Sequence, residues 1–441
     1  MNKFFKFIML ITFCVLFTAG NNFGFGEDIE VRNPEKIDKS QSYIPGEIIV
    51  RFKLDIQMAD MNSLLSRIDG KVKYTAKSGD FHVIQLPDNM TVEEGVRYFT
   101  AQDDVKMAEP NYLRYIEYTP NDTYYSYQWH FSQIDMESAW DISTGDPSVI
   151  VAVVDTGVAY ENYGSFTQAP DMVGTSFAAG YDFVDNDSHP NDEGGNGFGH
   201  GTFVAGVIAQ STNNGIGVAG MAFNTTIMPV RVCTTAGTCP VAYVADGIRW
   251  AVDHGADVIN ISLGGASGSQ VEQDAVTYAY NNGVVVIASA GNSADDTDFS
   301  GDVDYPARYS EVLAVGATRY DETRAYYSNY GPNLDVVAPG GDVTVDQNGD
   351  GYGDGVLQNT FSGSDVTKFG YWFAQGTSFS APHASALAAM LVAKGLRDNP
   401  GIVFDVIRFS ARDLGQAGRD NTYGYGIIDP VHALLGLGLF D

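Results

Sequence analysis

The stretch Ile150-Val-Ala-Val-Val-Asp155-Thr-Gly157 is a run of five apolar residues, mostly β-branched, that ends in a carboxylate and a glycine turn. A strand with one wet face would alternate apolar and polar residues. This run does not, so it is covered on both faces. Similar runs recur at 149–154, 226–232, 257–263, 284–288, 312–315 and 334–337, with helical patterns at 241–254 and 271–282 between them. Buried strands separated by helices predict an α/β fold, a doubly wound and mostly parallel sheet. In such sheets chemistry collects beyond the carboxyl ends of the strands. Asp155 stands at one of those ends.

N-terminal to this region the pattern changes. Gly46 to Phe52 alternates like a strand, and Met61, Leu64, Leu65 and Ile68 share one helical face. Phe81 to Leu86 and Val105 to Tyr115 again read as strands, with Val72 to Tyr74 as a further short one. Thr91-Val-Glu-Glu94 is a capping box that opens a second helix. This order predicts a small α+β ferredoxin-like domain over residues 42–118, leaving 119–441 for the large domain. Residues 27–41 form a polar connector. Residues 1–26 have the layout of a cleavable secretory signal: Lys3 and Lys6, an apolar stretch from Phe7 to Phe17, then Thr18, Ala19 and Gly20. Phe13 before Cys14 does not suit lipid attachment, so no membrane anchor is expected after signal removal.

The chain has 441 residues, 25 basic and 55 acidic, for a formal net charge of −30. That balance excludes nucleic acid and anionic membrane surfaces as partners, and it offers oxygen ligands to hard cations. Export would leave Cys233 and Cys239, with five residues between them, in an oxidising compartment. They read either as a disulfide or as two small buried thiols.

Three polar residues carry the chemistry. Asp155 ends the first buried strand, His200 lies in Gly199-His-Gly-Thr-Phe-Val-Ala-Gly206, and Ser378 lies in Gly376-Thr-Ser-Phe-Ser-Ala-Pro-His383. Singly, a strand-end Asp caps a loop and a Ser caps a helix. Together they follow the order Asp, His, Ser of a known catalytic constellation. A serine hydroxyl needs a base, imidazole supplies one near neutral pH, and a carboxylate fixes the imidazole tautomer. Pro382 is expected within the first helical turn, where no intrahelical amide bond is lost. Asn292 ends the strand Val284-Val-Val-Ile-Ala-Ser-Ala-Gly-Asn292. By itself it is a turn residue; beside the triad it becomes a donor to a developing oxyanion, with the Ser378 N–H. Asp346, Asn348, Asp350 and Asp354, with Gly351 at the turn, have the spacing of a calcium loop, although Leu357 stands where a position-twelve Glu is usual. A solvated Gly-Asp turn is the competing reading. No motif suggests catalytic zinc.

These motifs resemble the subtilisin superfamily, and most closely its thermitase and fervidolysin relatives. Asp-Thr-Gly at 155–157, His-Gly-Thr with Val-Ala-Gly at 200–206, Asn260-Ile-Ser-Leu-Gly-Gly265, Ala-Gly-Asn at 290–292, Gly-Thr-Ser-x-x-x-Pro-His at 376–383 and Tyr423-Gly-Tyr-Gly-Ile-Ile-Asp429 carry the likeness, which covers about Thr119 to Leu437. It implies a secreted, monomeric serine endopeptidase made as a self-processing zymogen. Its partners would be protein or peptide substrates and its own propeptide. Residues 42–118 resemble that inhibitory propeptide and chaperone, which ends at Ala108-Glu-Pro-Asn-Tyr112, with autoprocessing between Tyr112 and Asp122. Phe203 and Phe379 depart from a frequent His and Met.

The resemblance also implies that Ser262, Leu263, Gly264 and Gly265 pair with an extended substrate as an added strand. Ser262 to Gly264 and Ala290, Gly291 and Asn292 would wall the pocket for the residue before the scissile bond. Asp304, ahead of Tyr305-Pro306, lies either at the floor of that pocket or in an acidic loop with Asp295, Asp296, Asp298 and Asp302; both readings stay open. Calcium is the implied cofactor, held by Asp122 and Asp171 carboxylates, the Asn214 amide, and the Thr212, Ile216 and Val218 carbonyls. Asp182, Asp185 and Asp187 resemble a second site, against which an exposed acidic loop is the alternative. A calcium-stabilised binding protein on an idle protease fold is the other class considered; loss of Asp155, His200, Ser378 or Asn292 would mark it, and none is lost.

Overall fold

A computed structural model describes residues 43–53, 58–87, 89–113, 119–297, 299 and 301–436. The signal-like segment, the polar connector, residues 114–118 of the expected processing span and Asp298 lie outside the described residues.

The N-terminal unit runs β1 (Tyr43–Phe52), α1 (Met58–Ser66), β2 (Lys71–Thr75), β3 (His82–Gln85), α2 (Val92–Thr100) and β4 (Val105–Tyr112). Its sheet has the order β2-β3-β1-β4 and every pairing is antiparallel. The alternating residues Ile48, Val50 and Phe52 of β1 turn inward and share a core with Leu64, Leu65, Val92 and Phe99. At the start of α2 the Thr91 hydroxyl accepts from the Glu94 N–H, and the Glu94 carboxylate accepts from the Thr91 N–H.

The large domain begins with α3 (Trp129–Gln133), α4 (Met136–Trp140), β5 (Ile150–Asp155), β6 (Ser176–Phe177), β7 (Tyr181–Asp182) and α5 (His200–Ala209). It continues with β8 (Thr226–Arg231), α6 (Val241–Asp253), β9 (Val258–Ile261), α7 (Gln270–Asn281), β10 (Val285–Ser289), β11 (Leu313–Thr318) and β12 (Val336–Pro339). The hairpin β13 (Val356–Phe361) and β14 (Phe369–Ala374) leads to α8 (Thr377–Ala393), α9 (Pro400–Ser410) and α10 (Pro430–Leu435). The central sheet has the order β12-β11-β10-β9-β5-β8-β6, with β7 beside β8, and all its pairings are parallel. Strands β8 to β12 are buried throughout, which is why their sequences do not alternate. The strand order reverses at β5, which lies between β8 and β9, so the loops after β5, β9 and β10 open on one side.

Helix α8 is apolar all round, as a helix inside a core must be. From Thr377 to Val392 every residue except Ser378 is buried. The helix starts early enough that Pro382 lies inside it, beyond the first turn, which corrects the sequence expectation. A proline there removes the N–H that would serve the carbonyl four residues back, which belongs to Ser378. The Ser262 hydroxyl serves it instead, donating to Ser378 O at 2.7 Å. The β13–β14 hairpin has no clear signature in the sequence, because Gln358, Asn359 and Thr360 are polar yet fully buried. They are spent on other backbones: Gln358 donates to Ala219 O (3.0 Å) and Thr360 to Gly199 O (2.5 Å), which fixes the residue before His200.

Candidate active site

Strand β5 delivers Asp155 to the carboxyl end of the central sheet as a buried carboxylate. Its Oδ1 accepts from the Thr156 N–H (2.7 Å) and from His200 Nδ1 (2.8 Å). A carboxylate only accepts, so Nδ1 carries the proton and Nε2 is left with a free lone pair. Helix α5 comes this close because residue 201 is glycine; a Cβ there would overlap the Gly157 carbonyl. Asp192, which sequence reasoning missed in its Gly/Asn-rich surroundings, ties the two elements together. Its carboxylate accepts from Thr156 Oγ1 (2.9 Å), the Gly194 N–H (2.8 Å), the Thr202 N–H (2.9 Å) and Thr202 Oγ1 (2.6 Å). Burial pushes the Asp192 pKa up to about 6, with those hydrogen bonds opposing the shift. Burial acting alone would lower the His200 pKa. The charge and hydrogen bond of Asp155, with the Asp192 charge behind them, outweigh it and leave His200 raised.

Ser378 is the second residue of α8, so its N–H has no intrahelical acceptor. Its hydroxyl donates to the Ser262 carbonyl at 3.0 Å, while the Ser262 hydroxyl donates back to Ser378 O. This reciprocal pair is braced from the core: Asn260 Nδ2 donates to Ser262 Oγ (2.9 Å), and Ser385 donates to Asn260 Oδ1 (2.8 Å). Asn292 Oδ1 accepts from the Thr377 N–H (2.9 Å) and Thr377 Oγ1 (3.0 Å). A backbone N–H can only donate, so the amide orientation is fixed and Nδ2 is left free as a donor. Thr377 is a second residue the sequence reading missed; only its position before Ser378 could have pointed to it.

Phe203 and Phe379 pack together in a tilted pair with ring centroids 4.4 Å apart, and Phe379 lies 5.5 Å from the His200 ring. The two departures from the family pattern are therefore one packing feature. Behind Ser378, His383 Nδ1 donates to Phe379 O (2.8 Å) and its Nε2 accepts from His130 Nδ1 (2.9 Å). Burial lowers the His383 pKa to about 4 and that of His130 well below the usual range, so the pair is neutral.

A cleft of 610 Å³ passes His200, Asp155 and the edge Ser262-Leu263-Gly264-Gly265. Cys233 and Cys239, joined in a disulfide, close a loop on its other wall. Gly265 exchanges two 2.9 Å backbone hydrogen bonds with Tyr305. The preceding residue, Asp304, donates its N–H to Ala290 O (2.8 Å) and packs against Gly264 and Gly291. A Cβ on Gly291 would overlap the Asp304 carboxylate, so the carboxylate lies between the two expected pocket walls. Burial raises its pKa against the pull of Arg308. Asp302, by contrast, is held by Arg308 (2.6 Å) and Asn333 (2.6 Å).

The model of the subtilase family matches residues 146–426, and that of the fervidolysin N-terminal prodomain matches residues 29–111. The chain belongs to the subtilase family. It is 36% identical over 391 residues, 88% of each chain, to a thermophilic serine proteinase of Bacillus sp. (strain AK1). It is 39% identical over 279 residues, 63% of this chain and 87% of the relative, to thermitase of Thermoactinomyces vulgaris. A solved protease from Pseudoalteromonas arctica PAMC 21717 superposes with a TM-score of 0.62 at 34% identity, covering 72% of this chain and 99% of that one. The subtilase is thus a serine endopeptidase with a prodomain and a mostly parallel central sheet.

Among the described residues of this subtilase no three His, Cys, Asp or Glu side chains form a ready metal cluster. Carboxylates do meet backbone N–H groups and an amide side chain in two loop regions. Asp122 and Asp171 come together with the loop 212–218: Asp171 accepts from Asn214 Nδ2 (2.8 Å) and the Val218 N–H (2.9 Å), and Asp122 from the Asn213 N–H (2.8 Å). Asp122 Oδ1 is buried without a partner, and burial pushes the Asp171 pKa up to about 6. In the second place, Asp346 accepts from the Gly349 (2.7 Å) and Gly351 (3.1 Å) N–H groups and Asp350 from Tyr352 (2.8 Å), while Asp354 Oδ1 is buried and unpaired. At the Asp182, Asp185 and Asp187 loop the surroundings differ from these two places. The buried Arg231 guanidinium pairs with Asp182 (2.7 Å), Asp185 (2.6 Å) and Glu193 (3.1 Å), so a cation already sits among those carboxylates.

Proposed function

We propose that this subtilase is a secreted endopeptidase, made as a precursor, that cuts peptide bonds with Ser378 as nucleophile. The observation that carries the reading is the Asp155–His200 hydrogen bond set beside a helix terminus whose Ser378 N–H and neighbouring Asn292 Nδ2 are both free to donate. An extended substrate strand adds to the edge at Ser262 to Gly265, and its N–H takes the Ser262 carbonyl. That releases the Ser378 hydroxyl, which rotates toward His200 Nε2. Oγ attacks the scissile carbonyl as its proton passes to Nε2, and Asp155 stabilises the imidazolium. The oxyanion is held by the Ser378 N–H and Asn292, the latter donor typically worth about 10²–10³-fold. His200 returns the proton to the leaving amine, and water then cleaves the acyl-enzyme by the same steps.

Asp122, Asp171, Thr212, Asn214, Ile216 and Val218 suit calcium, because the two carboxylates meet the 212–218 loop and Asp122 keeps a buried oxygen without a partner. Asp346, Asn348, Asp350 and Asp354 suit a second ion through the unpaired Asp354 oxygen. Calcium would neutralise these carboxylates and stiffen their loops; no chemical step passes through it. Residues 42–118 act as intramolecular inhibitor and chaperone of 119–441, and cleavage between Tyr112 and Asp122 frees the enzyme. The signal-like N-terminus supports export, and among the described residues no helix is long and apolar enough to cross a membrane. Incubating refolded precursor with a serine-directed phosphonate tests the reading. Blocked fragmentation with the adduct mapped to Ser378 is expected, and fragmentation at the uninhibited rate with Ser378 unlabelled contradicts it.

A further inference from the structure

Helix α7 buries residues 272, 275, 276 and 279, the stripe expected of a helix laid on a sheet. Three of them are Ala275, Val276 and Ala279; the first is Glu272, which is only 4% exposed. A first-turn carboxylate gains from the helix dipole, but it gains as much on the wet side of the turn, where it loses no hydration. The buried position therefore needs another reason. Glu272 lines the same cleft that holds His200 and the Ser262–Gly265 edge, and its neighbours there include Val241, Val244 and Leu263. The Tyr309 hydroxyl near it already donates to the Ser269 carbonyl (2.8 Å), no nearby cation offsets its burial, and burial raises its pKa. Tyr305, another wall of the cleft, packs against Tyr309 in a tilted pair with ring centroids 4.8 Å apart. A carboxylate beside an aromatic wall, with Val241, Val244 and Leu263 lining the same cleft, matches a side chain with an aliphatic stem and a cationic head.

We infer that Glu272 makes this arm of the cleft a subsite for a Lys or Arg side chain of the substrate, separate from the Asp304 pocket. The inference rests on the endopeptidase reading above and names its substrate class: chains with a basic residue at a set distance from the cleaved bond. The stem packs on Val244 and Leu263, and the head supplies the counter-charge that the Glu272 carboxylate lacks. The net charge of −30 favours the encounter with cationic chains.

The test uses matured enzyme and matched peptides in which a single Lys or Leu is scanned through four positions on either side of the scissile bond. At one position wild type should prefer Lys in kcat/KM by about tenfold, the size of one charge-assisted contact. Glu272→Gln, which keeps the shape and removes the charge, should abolish the preference at that position alone. Glu272→Lys should turn it toward Glu. The ratios at the other positions report in the same variants whether the site is intact. An identical Lys-to-Leu ratio in wild type and Glu272→Gln at every position overturns the subsite while leaving the endopeptidase reading standing. Failure of wild type to cut any peptide overturns both.

Discussion

Asp304 and Gly291 explain one another: the carboxylate occupies space that any other residue at 291 would fill, and Gly264 closes on it from the other wall. If the two walls bind substrate as proposed, a carboxyl half-hidden between them favours a cationic side chain over an apolar one. With peptides that differ only in Lys, Phe or Leu before the scissile bond, the Lys-to-Phe ratio of kcat/KM should fall about tenfold in Asp304→Asn. An unchanged ratio would place Asp304 outside the pocket. The residue scale is also where the sequence hides most. Asp155, His200, Ser378 and Asn292 announce themselves because each follows a buried strand or opens an apolar helix. Asp192 and Thr377 do not, since a carboxylate among Gly and Asn, or a Thr at a helix start, reads as ordinary turn and cap chemistry. Their work depends on partners more than 9 residues away, Thr202 for one and Asn292 for the other.

At the scale of elements, the parallel sheet is legible because strands buried on both faces cannot alternate, and because the runs are spaced by helical patterns. The capping box at Thr91 is legible for a local reason: both of its hydrogen bonds close within four residues. The β13–β14 hairpin is not legible, since its buried Gln358 and Thr360 serve backbone groups of distant segments and its buried Asn359 serves a carbonyl of β14. Pro382 misleads in the same way, because the donor that replaces its missing amide lies on Ser262, 116 residues away. The acidic loops divide likewise: Asp182 and Asp185 have a guanidinium, whereas Asp122 and Asp354 each keep a buried oxygen without a partner. Calcium binding to the folded state alone stabilises it by mass action. Chelation should therefore speed thermal inactivation about tenfold or more with little change in initial kcat, and Asp350→Ala should lower the bound calcium. Thermal inactivation indifferent to chelator would remove both sites from the account.

The whole chain joins a four-stranded antiparallel prodomain to a large parallel-sheet domain, each with its own core. The subtilase family and the fervidolysin prodomain both match it, so the precursor carries its own first candidate substrate. If one site cuts both the propeptide junction and foreign chains, maturation becomes a readout of catalysis that needs no guess about the physiological substrate. The direct measurement is the intact mass, over time, of purified wild-type and Ser378→Ala precursors refolded in calcium. Triad loss typically costs at least about 10⁴-fold in turnover. Wild type should therefore shorten by a cut between Tyr112 and Asp122 while Ser378→Ala stays at full length. Self-maturation of the pure Ser378→Ala protein at the wild-type rate would contradict the assignment of Ser378 as the nucleophile.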